Sequence, residues 1–238
     1  MEAYGFTAYH WSYLESRHEL IEPSCSVQRN RTAPTYKNSF LMPFLNSQFF
    51  IFDSLQNLDR QLLLIFNRNH TPTLDALMTF ASNRYVWIPA YALLIAVLID
   101  FFRRRVLLLL PLLIVAAGLA DSITSRLFKP FFARARPCHD PQLQALLHLP
   151  DGCGGQFGFL SSHAANSFAL AVFVALTLPK GRFRTTKGLA FVWAGLLSYS
   201  RMYLGAHYPT DVLGGAAIGA LLGWGAATIY HKLAPRIG

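Results

Sequence analysis

Charge is what this 238-residue chain has least of. Asp, Glu, Lys and Arg make up 14% of it, against about 25% in an ordinary soluble domain, while 53% is hydrophobic. That balance excludes a disordered chain. Cysteine is equally sparse, and Cys25, Cys138 and Cys153 in a chain of this length cannot form a disulfide framework. Acids are the scarcer sign, 12 against 21 Lys and Arg, for a formal net charge of +9. A nucleic-acid partner would require those cations on one folded polar surface. They gather between apolar runs instead, at Arg103–Arg105, at Lys180, Arg182, Arg184 and Lys187, and at His231, Lys232 and Arg236. Residence in a lipid bilayer is the class left, with no nucleic acid.

Residues 1–41 are polar, lack periodicity and contain no apolar core of a signal peptide. They read as a poorly ordered tail holding Cys25. The sequence turns apolar at Phe40 to Leu45, with Met42 as an alternative start and a genuine cytosolic or interfacial tail as the equal reading. Gln48 to Phe66 and Thr73 to Ser82 carry apolar residues at helical spacing but also Asp53, Asp59, Arg60 and Asp75. Charge in mid-segment is costly inside hydrocarbon, so both are expected as amphipathic helices on the membrane surface.

Five stronger apolar segments follow: Tyr85 to Phe102, Val106 to Ser125, Ala164 to Pro179, Gly188 to Ser200 and Val212 to Tyr230. Only the last clearly reaches the roughly 20 residues of a span; the others reach it if polar residues occupy their ends. With the first span running outside to inside, all three basic clusters fall on the cytoplasmic side. The expected fold is therefore all-α, a multi-pass transmembrane bundle of about five spans with interfacial N-terminal helices, residues 42–238 forming one membrane-embedded domain. Gly215, Gly219 and Gly223 stripe the last segment, and tight helix packing is their expected role.

The outside segments hold the polar residues capable of chemistry. They are Lys129-Pro-Phe-Phe-Ala-Arg-Ala-Arg136-Pro137, Ser161-Ser162-His163, and Ser200-Arg201-Met-Tyr-Leu-Gly-Ala-His207-Tyr-Pro-Thr-Asp211. Taken singly, Lys129 and Arg136 read as snorkelling anchors, His163 as an interfacial cap, and His207 with Asp211 as a loop pair. Together on one membrane face they offer cations for the oxygens of a phosphoryl group, two histidines to divide nucleophile from general acid, and a carboxylate to fix one imidazole. The guanidinium and ammonium groups already supply the charge, and His163 and His207 have no Cys or carboxylate partner at metal-ligand spacing apart from Asp211 itself, so neither metal nor cofactor is expected. His139 and Asp140 follow the arginine motif directly and read as loop residues, with contact to a head group as the alternative. Cys138 and Cys153 bracket an outside loop where disulfides persist, and Gly152, Gly154, Gly155 and Gly158 suit turns over a site mouth.

The three-part spacing resembles the signature of the type 2 phosphatidic acid phosphatase superfamily, over roughly residues 45 to 232. The resemblance implies a helical bundle and a phosphohistidine mechanism. His207 is the implied nucleophile, Asp211 its orienting carboxylate and His163 the general acid. Lys129, Arg136, Ser161, Ser162 and Arg201 are the implied phosphate ligands. One departure stands out: where the family has Pro-Ser-Gly-His, this chain has Leu160-Ser161-Ser162-His163. The implied activity is metal-independent hydrolysis of a lipid phosphate or polyprenyl diphosphate, undecaprenyl diphosphate most favoured, at the outer face of a bacterial inner membrane. A lipid phosphotransferase sharing the intermediate, and a noncatalytic scaffold or transporter of the same fold, are the alternatives.

Overall fold

The computed structural model describes residues 42–237 apart from residue 180, with side chains placed from residue 54 to 235. The expected tail, Cys25 and Lys180 lie outside the described residues. Phe44–Gly238 forms one compact unit. Its helices are α1 (Met42–Arg68), α2 (Pro72–Ser82), α3 (Ile88–Phe102), α4 (Val106–Ser122), α5 (Lys129–Phe132), α6 (Ser162–Thr177), α7 (Arg184–Tyr203) and α8 (Pro209–Leu233). No strand occurs among the described residues, only a single antiparallel bridge between Ala135 and Phe157.

Local chemistry sets the helix starts. Thr71 caps α2, its Oγ1 accepting from Leu74 N at 3.2 Å with Pro72 in the first turn. Ser161 caps α6. Pro209 begins α8, where Asp211 accepts the N–H of Tyr208 at 3.0 Å, as an acid at the third helical position does in a capping box. Arg103, at φ 51°, separates α3 from α4. Tyr91, Leu94 and Ile95 share a cavity with Leu113, Ile114 and Ala117, so the two helices run antiparallel.

Length and composition alone pick out two stretches able to cross a membrane, Arg84–Phe132 and Pro209–Leu233, and Ser162–Thr177 as a shorter apolar helix. The first stretch contains both α3 and α4. Large apolar side chains face outward on every long helix after α2, among them Leu93, Leu107, Val192 and Leu213, each at least 67% exposed. A bundle turned inside out in this way suits lipid rather than water.

The interior contact is made by small residues. A Cβ added at Gly215, Gly219 or Gly223 of α8 would lie 2.4, 2.0 or 2.4 Å from the carbonyl oxygens of Ser161, Ala165 and Ala169 of α6. The stripe therefore packs α8 directly against the α6 backbone. At the opposite end from Ser161 the rings of Phe101 and Phe183 lie 5.0 Å apart and those of Phe102 and Tyr230 5.9 Å apart. Arg182 stacks over Phe101 and Phe183, and His231 bonds the Leu176 carbonyl at 3.0 Å. Among the described residues, the three basic clusters thus fall at one end of the bundle.

The N-terminal helices differ from expectation in one respect. Asp59, whose charge argued for a water-facing helix, is 2% exposed, because its carboxylate is satisfied inside the protein by partners described below. Asn67 at the end of α1 is fully buried and ties the His148 and Tyr203 carbonyls at 2.7 Å each. Asp75 of α2 accepts from Tyr203 at 2.7 Å and pairs with His148 at 2.9 Å.

Replacing Gly219 by Leu is expected to force α6 and α8 apart, costing about 1–3 kcal/mol or more, read as loss of the monodisperse peak or of the thermal transition in detergent. Gly225→Ala, with nothing within 4 Å of the new Cβ, is expected to leave that transition in place. Equal behaviour of the two variants would contradict the backbone contact.

Candidate active site

Asp211 is the centre of the arrangement. Its side chain is fully buried. One oxygen, Oδ2, accepts from Tyr208 N and lies 3.6 Å from His207 Nδ1; the other, Oδ1, accepts from Arg134 Nη1 at 2.6 Å. The 3.6 Å separation is longer than a hydrogen bond, and His207 Nδ1 is buried without another partner. His207 sits between α7 and α8, 2% exposed. Burial pushes its imidazole down to about 4, Asp211 opposing that shift and Arg136 and Arg201 adding to it.

Arg134 is the residue that sequence reasoning passed over, although it stands inside the first motif. Its guanidinium donates to Asp211 and to Thr210 Oγ1, at 2.6 and 2.7 Å, and from its other nitrogen to Asp59 of α1. Asp59 in turn accepts from Thr210 N at 3.0 Å. The Tyr208 ring lies 4.1 Å beneath the guanidinium, and the Tyr208 hydroxyl donates to Asp140 at 2.9 Å, which Arg60 engages from outside. Burial works against Arg134's charge, but Asp211 and Asp59 outweigh it and hold the group more firmly protonated. No pattern in the sequence pairs Asp59 with Arg134, 75 residues away.

The implied phosphate ligands surround this centre. Arg136 donates Nε to the Phe157 carbonyl at 3.2 Å. The glycine-rich loop lies against it: a Cβ at Gly154 would meet Arg136 Nη1 at 2.7 Å, and one at Gly158 would meet Arg136 Cγ at 3.1 Å and Asp211 Oδ2 at 3.2 Å. Gly158 N and Arg136 N bond the Arg134 and Gln156 carbonyls at 2.9 Å each, so two short segments pair beside the site. Arg201 donates Nη1 to Ser82 of α2, a residue not singled out from sequence, while its Nε is buried without a partner.

Ser161 N donates to the Asp211 carbonyl at 3.0 Å, which joins the second motif to the third. His163 opens the first turn of α6 and lines a cavity between α3, α4, α6 and α7. Ser162, the departure from the family pattern, accepts from Thr124 Oγ1 at 2.9 Å and Lys129 Nζ at 3.2 Å, with Ser125 Oγ also 2.9 Å away. These partners are presented by a π-helical turn, Ile123–Phe128, a form that recurs at functional sites. The hydroxyl thus tethers the lysine.

All eight residues singled out from sequence are gathered at one end of the bundle. His139 bonds the Gly154 carbonyl at 3.1 Å, as a loop histidine. Cys138 and Cys153 are joined, Cα to Cα 5.8 Å, closing a loop that ends where the glycine-rich segment Gly152 to Gly158 begins. Cys138, His139 and Cys153 form a compact group, but the two sulfurs are bonded to each other and are not free as metal ligands.

Residues 106–235 match the model of the PAP2 superfamily. The chain is 37% identical over 186 residues to a lipid A 4'-phosphatase of Bacteroides thetaiotaomicron, covering 77% of this chain and 81% of that one. It is 32% identical over 163 residues to an undecaprenyl-diphosphatase of Sulfolobus acidocaldarius, covering 67% and 72%. Among solved structures, a transmembrane PAP2-type phosphatidylglycerolphosphate phosphatase from Bacillus subtilis superposes with a TM-score of 0.58 at 26% identity, covering 81% of this chain and 98% of that one.

Arg134→Met leaves Asp59 and Asp211 buried without their shared cation. It is expected to cost about 3–5 kcal/mol in thermal unfolding and to depress phosphate release. Arg60→Met breaks a partly exposed pair and is expected to cost about 0–1 kcal/mol. For His207, NMR of the ring nitrogens is expected to show a neutral imidazole from pH 8 down to about 4, and protonation, which removes the attacking lone pair, only below that. A midpoint near the ordinary 6.5 would contradict the buried placement.

Proposed function

The chain belongs to the PAP2 superfamily, and from that premise we propose that it is a multi-pass membrane phosphatase that removes phosphate from a lipid through a phosphohistidine on His207. The observation that carries this reading is the couple of His207 and Asp211, buried together beside three cationic side chains. Five spans, α3, α4, α6, α7 and α8, are proposed. α1 and α2 are assigned to the interface, and residues 42–238 to the phosphatase domain, preceded by the tail of residues 1–41. The convergence of the basic clusters at the end away from the histidines supports a cytoplasmic placement of that end and an extracytoplasmic site.

In the proposed reaction, Lys129, Arg136 and Arg201, with Ser161 and Ser162, hold the phosphoryl oxygens. Desolvated cations of this kind offset the charge spread over the equatorial oxygens of the transition state. His207 Nε2 attacks phosphorus while Asp211 holds Nδ1–H, the 3.6 Å gap tightening on substrate binding. His163 protonates the departing oxygen and then takes a proton from the water that hydrolyses the phosphohistidine. Undecaprenyl diphosphate and lipid A are both candidate substrates on this reading, each the substrate in the name of a relative.

Activity is expected to persist in excess chelator and to be inhibited by vanadate. Loss on chelation, restored by a divalent ion, would overturn the metal-free cradle. His207→Ala is expected to abolish both turnover and acid-quenched phosphoenzyme. His163→Ala is expected to retain more phosphoenzyme formation from a diphosphate, whose leaving group needs little protonation, than from a monophosphate. Radiolabelled phosphohistidine in His207→Ala but not in His163→Ala would reverse the two roles.

A further inference from the structure

Beside His163 a cavity of about 450 Å³ runs between α3, α4, α6 and α7. Most of its wall is apolar, including Leu94, Leu113, Leu170 and Leu197, and Ile95 and Ile114, 38% and 69% exposed, mark its opening on the outward apolar surface of the bundle. A volume of this size suits the first part of a lipid chain and its linkage, rather than the phosphate alone.

Arg84, Asp121, Ser162 and Ser167 also line it, and two further polar residues of the wall each bury an atom that has no partner. Asn166, one helical turn beyond His163 on the same face of α6, buries Oδ1 without a hydrogen-bond partner, and Trp193 of α7 buries Nε1 in the same condition. The Trp193 ring is fixed by edge-on contacts with Trp87 and Tyr91, 5.9 Å between centroids in each case. An indole N–H is a donor only and an amide oxygen an acceptor only. Left unpaired in an apolar wall, each is a cost to the folded protein that a ligand carrying the complementary groups removes.

We propose that this cavity seats the part of the lipid next to the scissile phosphate, and that Asn166 and Trp193 select a substrate offering there both a hydrogen-bond donor and an acceptor. This rests on the phosphatase reading above and names the substrate class of that site. An N-acylated, hydroxyacylated sugar phosphate carries N–H or O–H donors and carbonyl acceptors at that depth. A glycerol ester supplies acceptors alone and meets only Trp193. A polyprenyl chain supplies neither and leaves both atoms unpaired.

The test uses the full chain in detergent with three probes: an N-(3-hydroxyacyl)glucosamine phosphate lipid, phosphatidic acid and undecaprenyl diphosphate. Asn166→Leu and Trp193→Phe are each expected to lower kcat/KM about tenfold for the N-acyl lipid, the worth of one hydrogen bond, and to leave it within about twofold for the polyprenyl substrate. Phosphatidic acid is expected to respond to Trp193→Phe alone. Thermal stabilisation by the dephosphorylated N-acyl lipid, stronger than that by undecaprenol and lost in both variants, gives a readout independent of catalysis. If the wild type releases no phosphate from any probe yet shows that pattern of stabilisation, the phosphatase reading falls and the cavity assignment stands. Equal losses on all three probes, or no change with the N-acyl lipid, would overturn the assignment.

Discussion

The closeness of α6 and α8 is the constraint on which the rest of the molecule depends. Three glycines spaced one turn apart leave no room for a Cβ, so one helix backbone lies on the other along much of their length. In hydrocarbon there is no water to expel between helices, and close van der Waals contact replaces the hydrophobic effect as the force holding them. The consequence at the end of the contact is chemical. Ser161, at the cap of α6, reaches the Asp211 carbonyl, in the first turn of α8, and the two halves of the candidate site are brought into one place.

Charge is rationed in this chain, and the buried acids are used where a cation already waits. Asp211 is at once the cap of its helix, the partner of His207 and the acceptor of an arginine. Arg134 carries the balance: with Asp59 on its other side it holds two carboxylates out of water that would otherwise repel each other. A buried pair of this kind contributes little net stability when complete and costs several kcal/mol when one member is removed. Its value lies in fixing geometry. The clamp also binds α1, which precedes the matched family segment, to the start of α8.

The substitution of Ser for Gly before His163 has a local explanation. A hydroxyl at position 162 requires partners once buried beside the α6 terminus, and the π-helical turn after α4 supplies Thr124, Ser125 and Lys129. The lysine's hydrogen-bond partner is a neutral oxygen rather than a carboxylate.

The sequence by itself determined the class of molecule and the order of its helices. Scarce charge, apolar runs with polar ends and segregated basic clusters follow from the cost of burying ions in hydrocarbon, and that cost acts locally, residue by residue. The motif residues were legible for a similar reason: Lys129, Arg136, Ser161, His163, Arg201, His207 and Asp211 lie at fixed short spacings within three short stretches of chain. Tertiary structure alone decided how those stretches meet. Asp59 read as a surface charge because a sequence window shows neither Arg134 nor Thr210 across the fold, and Arg134 was hidden beside two better-known cations. Asn166 and Trp193 carry no sequence signal at all, since an amide and an indole are ordinary on a helix until the surrounding helices close around them and leave each without a partner. Burial and pairing are properties of the packed bundle, and they are what separate a polar residue that water satisfies from one that a substrate must.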